Sequence, residues 1–334
     1  MIYSIREFLM NNCNGNFGSS FLGKTQEEFI HRQKIGRADL ANITGFDKIE
    51  KLRYAIAEEG KEQEFENYTM KRIVLQTHKF IFMPFYILTP KTEGVKIPVI
   101  AIAGHGSNGK EGVCGADNTG VGKYKNDYGR QMAQAGYLVF APDLAGFGER
   151  REEKEQSDIL KSSCNDINFA AIAAGLSLQA INLNDIAALT DYIFDYENCD
   201  PSKLVCMGFS GGGWQTLWAA AMDERIKTAL VAGYFHGFRD PLLKNNLCGC
   251  NFVPKFWEKW SITDLAALIT PRNLYIESGL SDPLHGPSGM ENVVPFVNEL
   301  RQIYRLFDTD NLYHHIFEGS HEYSGYAAEF LKMI

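Results

Sequence analysis

The 334-residue chain is 45% hydrophobic and 22% charged, an ordinary globular balance, and its length allows one large domain or two small ones. A net charge of -8 argues against a nucleic-acid partner, which calls for a basic surface. No apolar run approaches the ~18 residues that span a bilayer, and "MIYSIREFLMNNCNG" lacks the basic region, apolar stretch and cleavage site of a signal peptide, so no membrane partner is expected.

In chain order, the first sixty or so residues carry helix-like patterns, "TQEEFIHRQKIGRADLANI" and "FDKIEKLRYAIAEEGK". A β-rich pair follows, "YTMKRIVLQT" and "KFIFMPFYILTP", with Thr77 and His78 near its turn. From residue 97 short apolar runs alternate with helical patterns: "IPVIAIAG", "NDYGRQMAQAG", "YLVFAPD", then "INLNDIAALTDYIFDY", "KLVCMGFS", "GWQTLWAAAM", "IKTALVAGYF", "RNLYIESG", "VVPFVNELRQIYRLF", "NLYHHIFEG" and "YAAEFLKMI". Strands of about five apolar residues with helices between them predict an α/β fold with a parallel sheet covered on both faces. Two excursions interrupt the alternation after strand ends, where such folds carry their sites. One is the charged "GERREEKEQSDILKSSCNDINF"; the other is the aromatic "FHGFRDPLLKNNLCGCNFVPKFWEKW".

The seven cysteines are scattered without framework spacing, which points to reduced thiols and a cytoplasmic setting. Cys248 and Cys250 form a CxC pair, but the sequence shows no second ligand pair beside it, so no metal is expected.

"GFSGGGWQT" joins a strand pattern to a helix pattern and reads G-x-S-x-G around Ser210. A serine on a sharp strand-to-helix turn needs small neighbours, because the turn is strained and a β-carbon two positions away collides with it. The helix starts at once, so its free N–H groups face the serine oxygen, and the Gly211 N–H is available to a developing oxyanion. The phosphate loop requires a lysine absent here, and the dinucleotide pattern G-x-G-x-x-G does not fit.

A serine hydroxyl needs a base, and the base an orienting carboxylate. In a strand–turn–helix arrangement they follow the serine, acid first, each just after a strand. "RNLYIESGLSDPLHG" offers Asp282 and "NLYHHIFEGSHEYSG" offers His321. Their rivals are Glu277, Asp264 and Asp240 for the acid, and His285, His314 and His315 for the base. A second oxyanion donor is expected after an earlier strand, in "VIAIAGHGSNGKEG", at Ser107 or Gly106, with His105 packing nearby.

The motifs "AGHGSNGKEG", "VFAPDLAGFGERR", "GFSGGGWQT", "CGCNFVP", "SGLSDPLHG" and "EGSHEYSG", in that order, resemble the α/β-hydrolase superfamily in its dienelactone-hydrolase and acetyl-xylan-esterase-like branch, over about residues 65–334. The resemblance implies a mostly parallel sheet of about eight strands covered by helices, serine carboxylic ester hydrolysis, and no metal or other cofactor. It implies Ser210 as nucleophile, Asp282 as acid and His321 as base, with an oxyanion hole at Gly211 and around Ser107. Asp143 and Arg150 of "PDLAGFGERR" are expected to shape the adjoining loop. Residues 1–64 are then an N-terminal helical extension on the core, and residues 235–262 a cap-like insertion. Its aromatic side chains either pack as a cap or stack on a sugar, with Phe235 and Trp257, beside His105, as substrate contacts. The expected function is hydrolysis of small acyl esters, acetyl esters of carbohydrates foremost, with a small-molecule ester as the partner. A lactone or aminoacyl hydrolase using the same three residues is the rival enzyme, and a catalytically silent binding protein is the rival of another class. Nothing in the sequence selects an oligomeric state.

Overall fold

The computed structural model describes residues 5–12, 19–116, 127–243 and 247–334. Nine strands form one sheet: β1 Ala55–Glu64, β2 Tyr68–His78, β3 Ile81–Pro90, β4 Pro98–Ile102, β5 Leu138–Pro142, β6 Val205–Phe209, β7 Thr228–Ala232, β8 Asn273–Gly279 and β9 Leu312–Phe317. Their order is β1-β2-β3-β5-β4-β6-β7-β8-β9. β1, β2, β3 and β5 pair antiparallel in turn, and every pairing from β5 through β4 to β9 is parallel. Strands β4 to β7 are buried along their whole lengths. That is why they read as continuous apolar runs and not as alternating ones.

The order fixes where a site can form. From β4 the chain crosses to β5 on one side, then returns to β6 on the other. The loops leaving β4 and β6 therefore diverge and open a crevice at the carboxyl ends of these strands. Behind it runs the helix Gly211–Met222, buried from Gly211 to Ala221, with Trp214 and Trp218 meeting edge to face in the core. Among the described residues no single helix is long and apolar enough to cross a membrane.

The expected helical pattern over "FDKIEKLRYAIAEEGK" is not a helix. Phe46–Lys48 is one tight turn, and Ala55–Glu64 is the edge strand β1, so the sheet begins before residue 65. β1 is exposed along nearly its whole length and holds to β2 through two charge pairs, Glu58 with Arg72 and Glu59 with Lys71, and through the Thr69 hydroxyl donating to Glu62. Glutamate-rich sequence favours helix locally, and cross-strand pairing overrides it. The other pattern is a helix, Gln26–Thr44, capped by the Thr25–Glu28 box. It is docked on the core: Gln33 donates to the carbonyls of Ala267 and Thr270, and Arg37 to those of Ala221 and Leu268.

The segment "PDLAGFGERR" after β5 is held by buried charge. Asp143 and Lys110 have fully buried side chains and pair at 2.8 Å. Asp143 also accepts the backbone N–H groups of Lys110 and Glu149, and Arg150 pairs with the buried Asp185 at 2.6 Å. Neutralising Asp143 leaves the fully buried Lys110 ammonium with the more exposed Glu149, at 2.5 Å, as its close partner, and weakens the two backbone bonds that the carboxylate accepts. Asp143→Asn should therefore lower the unfolding free energy by about 3–5 kcal/mol, read from urea unfolding. A midpoint equal to the wild type would show that Lys110 is neutralised or solvated in some other way.

Candidate active site

β6 ends at Phe209, and the next residue turns the chain sharply. Ser210 has φ 56° and ψ -123°, a conformation that costs a non-glycine residue about 1–3 kcal/mol. Two glycines permit it. A β-carbon on Gly208 would stand 2.4 Å from the Gly212 backbone, and one on Gly212 would stand 2.1 Å from the Ile102 carbonyl oxygen. The turn is pinned by the Ser210 N–H donating to the Ala232 carbonyl at 2.8 Å.

The Ser210 hydroxyl lies 2.8 Å from His321 Nε2, and His321 Nδ1 lies 2.8 Å from Asp282 Oδ2. Asp282 sits on the turn after β8 and His321 on the loop after β9. Asp282 is buried, and its second oxygen accepts the Leu284 N–H at 2.8 Å. Burial opposes its ionisation, but the hydrogen bond and charge of His321, with the Leu284 amide, hold its carboxyl below the usual range. The imidazole is also flanked by the Phe209 ring, with centroids 4.6 Å apart.

The rival residues have other partners. Glu277 accepts the hydroxyls of Tyr275 and Ser324 and the Ser324 N–H, which anchors the loop that follows His321. Asp264 caps its own helix and binds Ser19 and Ser20, and Asp240 accepts from Ser288. His314 meets the Ser278 hydroxyl, and His315 stacks between Tyr275 and Tyr326. His285 is buried near Asp282 and His321 but bonds to neither.

A cleft of about 480 Å³ opens over Ser210, lined by His105, Gly106, Gly211 and His321 together with Phe209, Tyr234, Leu247, Cys248, Asn251 and Leu284. Gly106 lies in this lining, whereas the Ser107 hydroxyl turns back to the Gly104 carbonyl at 2.8 Å. Two of the expected substrate contacts lie elsewhere. Phe235 is fully buried in the core, and Trp257 stacks on Phe238 with centroids 4.3 Å apart; neither lines the cleft. Their density in sequence reflects packing of the insertion. Two of the lining residues missed from sequence, Tyr234 and Asn251, are joined by a hydrogen bond from the tyrosine hydroxyl. Their signal was position: both follow the end of β7. A larger cleft of about 900 Å³ lies at the opposite, amino-terminal ends of β4 and β5, between Tyr54, Lys96, Leu138 and Tyr192, and holds none of these groups.

Cys248 and Cys250 are not isolated from other ligands in space. The fold brings Cys164 and His105 to them, four groups from three separated segments.

Two buried histidines flank the site. Burial drives His236 from 6.5 down to about 4 and also lowers His285. A histidine whose folded value is depressed is protonated first in the unfolded chain, so its contribution is intact above ~6.5 and is lost as pH falls towards ~4. For His236 the full loss is about 3 kcal/mol at the acid end. Unfolding free energies at pH 7.5 and 4.5 should thus converge between wild type and His236→Gln as the pH falls. Parallel curves would remove His236 from the acid sensitivity.

A serine on a sharp turn between a parallel strand and a buried helix, with an aspartate and a histidine on the loops after the last two strands, is the layout of the α/β-hydrolase fold. Residues 88–249, a little under half of the chain, match the dienelactone hydrolase family. It is 26% identical to the provisionally named hydrolase YtaP of Bacillus subtilis (strain 168), over 69% of this chain and 76% of that one. Among solved structures it is similar to BF1801 of Bacteroides fragilis NCTC 9343, provisionally an acetyl xylan esterase (TM-score 0.76, 16% identity, 95% of this chain and 83% of that one). It is also similar to a glucuronoyl esterase from Solibacter usitatus (TM-score 0.65, 15% identity, 92% of this chain and 93% of that one).

Proposed function

We propose that the protein is a serine esterase that hydrolyses small carboxylic esters, acetyl esters of carbohydrates foremost. The observation that carries this reading is the chain Ser210–His321–Asp282, two contacts of 2.8 Å opening into the cleft. Ser210 attacks the ester carbonyl while His321 Nε2 takes its proton. The N–H groups of Gly211 and Gly106, at the rim of the cleft, receive the developing oxyanion. His321 then protonates the leaving alcohol, and a water molecule, activated by the same nitrogen, releases the acid. Asp282 holds Nδ1 and stabilises the imidazolium. The esterase activities named for the structural neighbours support an ester over an amide substrate. The family match keeps a lactone as the second reading, because ring opening needs the same attack.

The test pairs a fluorophosphonate probe with a substrate panel. Stoichiometric labelling on Ser210, with turnover of acetylated sugars above nitrophenyl acyl esters and lactones, is the expected result. Absence of labelling in folded protein would turn the reading to a silent binding protein. A preference for lactones would select the second reading.

A further inference from the structure

Two residues of the cleft wall, His105 and Cys248, belong to a cluster that ester hydrolysis does not use. His105 comes from the loop after β4, Cys164 is the first residue of the helix Cys164–Ala173, Cys248 precedes the turn Gly249–Asn251 and Cys250 lies within it. His105 Nε2 lies 3.2 Å from Cys164 Sγ and 3.3 Å from Cys250 Sγ; the sulfurs of Cys164 and Cys248 are 3.5 Å apart. All four ligand atoms lie within 4.8 Å of one another. A disulfide requires sulfurs at ~2.05 Å. Bonds of ~2.3 Å to sulfur and ~2.0–2.1 Å to nitrogen, arranged tetrahedrally, place ligand atoms roughly 3.5–3.8 Å apart. The three contacts of 3.2, 3.3 and 3.5 Å reach that spacing by lengthening a few tenths of an ångström, and a pair at the 4.8 Å limit reaches it by closing about 1 Å.

The surroundings hold the ligands in place independently of any ion. The turn carrying the two cysteines is clamped to the helix that begins at Cys164. The Gly249 N–H donates to Asn165 Oδ1 at 2.9 Å, and Asn168 donates to the carbonyls of Gly249 and Phe252 at 2.7 and 3.0 Å. Two polar groups face the sulfurs, as expected around thiolates: Asn251 Nδ2 donates to Cys250 at 3.7 Å, and the Ser162 hydroxyl lies 3.2 Å from Cys164. Cys164 also sits at a helix N-terminus, where negative charge is favoured. The other imidazole nitrogen of His105 is pressed against the nucleophile turn, so that a β-carbon on Gly211 would stand 2.7 Å from it.

We infer that His105, Cys164, Cys248 and Cys250 bind one zinc ion as a tetrahedral Cys₃His site. Three thiolates with one imidazole suit zinc better than the oxygen-preferring cations. Binding replaces three thiol protons, which pass to solvent. Four protein ligands leave no open position for water or substrate, so the ion ties the insertion and the His105–Gly106 loop to the core and does not act on the ester. This inference goes beyond the esterase reading and does not rest on it.

The experiment uses the full chain, produced with zinc and reductant and without chelator. Inductively coupled plasma mass spectrometry should find about one zinc per chain, the stoichiometry of a closed site. Cys248→Ala and Cys164→Ala should lose it, while Cys199→Ser and Ser210→Ala should keep it. Cobalt exchanged into the protein should show thiolate charge-transfer bands and the intense visible bands of tetrahedral geometry, both abolished in Cys248→Ala. If Cys164→Ala does not fold, the half-buried Cys248 carries the test. Folded wild type holding less than about a tenth of an equivalent after zinc addition would overturn the site. So would a Cys248→Ala variant with undiminished zinc and cobalt spectra. The Ser210→Ala arm separates the two proposals, since loss of esterase activity there leaves metal content untouched.

Discussion

Ser210→Ala should leave a folded protein with esterase turnover reduced on the order of a million-fold. The fold should survive because alanine bears the same positive φ at no greater cost than serine, and the pinning bond to Ala232 is made by the backbone. The chemistry should not survive, because among the described residues no second hydroxyl stands against His321 Nε2. Initial rates on nitrophenyl acetate, with circular dichroism for the fold, provide the check. Activity within a hundred-fold of wild type in a clean preparation would exclude Ser210 as the nucleophile.

Asp282→Asn should lower kcat on the order of ten-thousand-fold while the site keeps its shape. An amide in place of the carboxylate favours the wrong imidazole tautomer and no longer stabilises the imidazolium. The wild-type carboxyl is held below its usual range, so it stays ionised at neutral and mildly acid pH. Its contribution to stability is present above the unfolded value of ~3.9 and fades as pH falls through the lower folded one. Glu277→Gln should cost far less, since it loosens Ser324 but leaves the imidazole its partner. If the two variants lost equal activity, or Glu277→Gln lost more, Asp282 would not be the orienting acid.

What could be read from the sequence followed the strength of local signals. β4 to β7 stand out because strands buried on both faces are uninterrupted apolar runs, and turn chemistry marks their ends. Ser210 could be singled out because a strained strand-to-helix turn needs its glycines. Asp282 and His321 could be selected because they lie on loops beyond strand ends, while Glu277, His314 and His315 lie within strands. β1 could not be read, because its glutamates favour helix and its partners, Arg72 and Lys71, lie on a different strand. Phe235 and Trp257 misled because aromatic density has two causes, packing and stacking, that composition does not separate. Cys164 carried no signal beside Cys248: 84 residues separate them, and only the crossing of two excursions over the carboxyl ends of the strands brings them together.

The exposed rim strand also bears on how this molecule behaves in a crowd. β1 leaves one row of backbone donors and acceptors open to solvent, the kind of ledge onto which a foreign strand can add. Glu58, Glu59, Glu62 and Glu64 stand along that ledge, and the pairing to β2 is irregular between Ile56 and Glu58 and again between Glu59 and Glu62. A second copy arriving edge to edge would bring like charge against like charge on a track without a straight register. Neutralising those four carboxylates should loosen β1, which they also tie to Arg72, Lys71, Thr69 and Lys91, and make the molecule stick to itself.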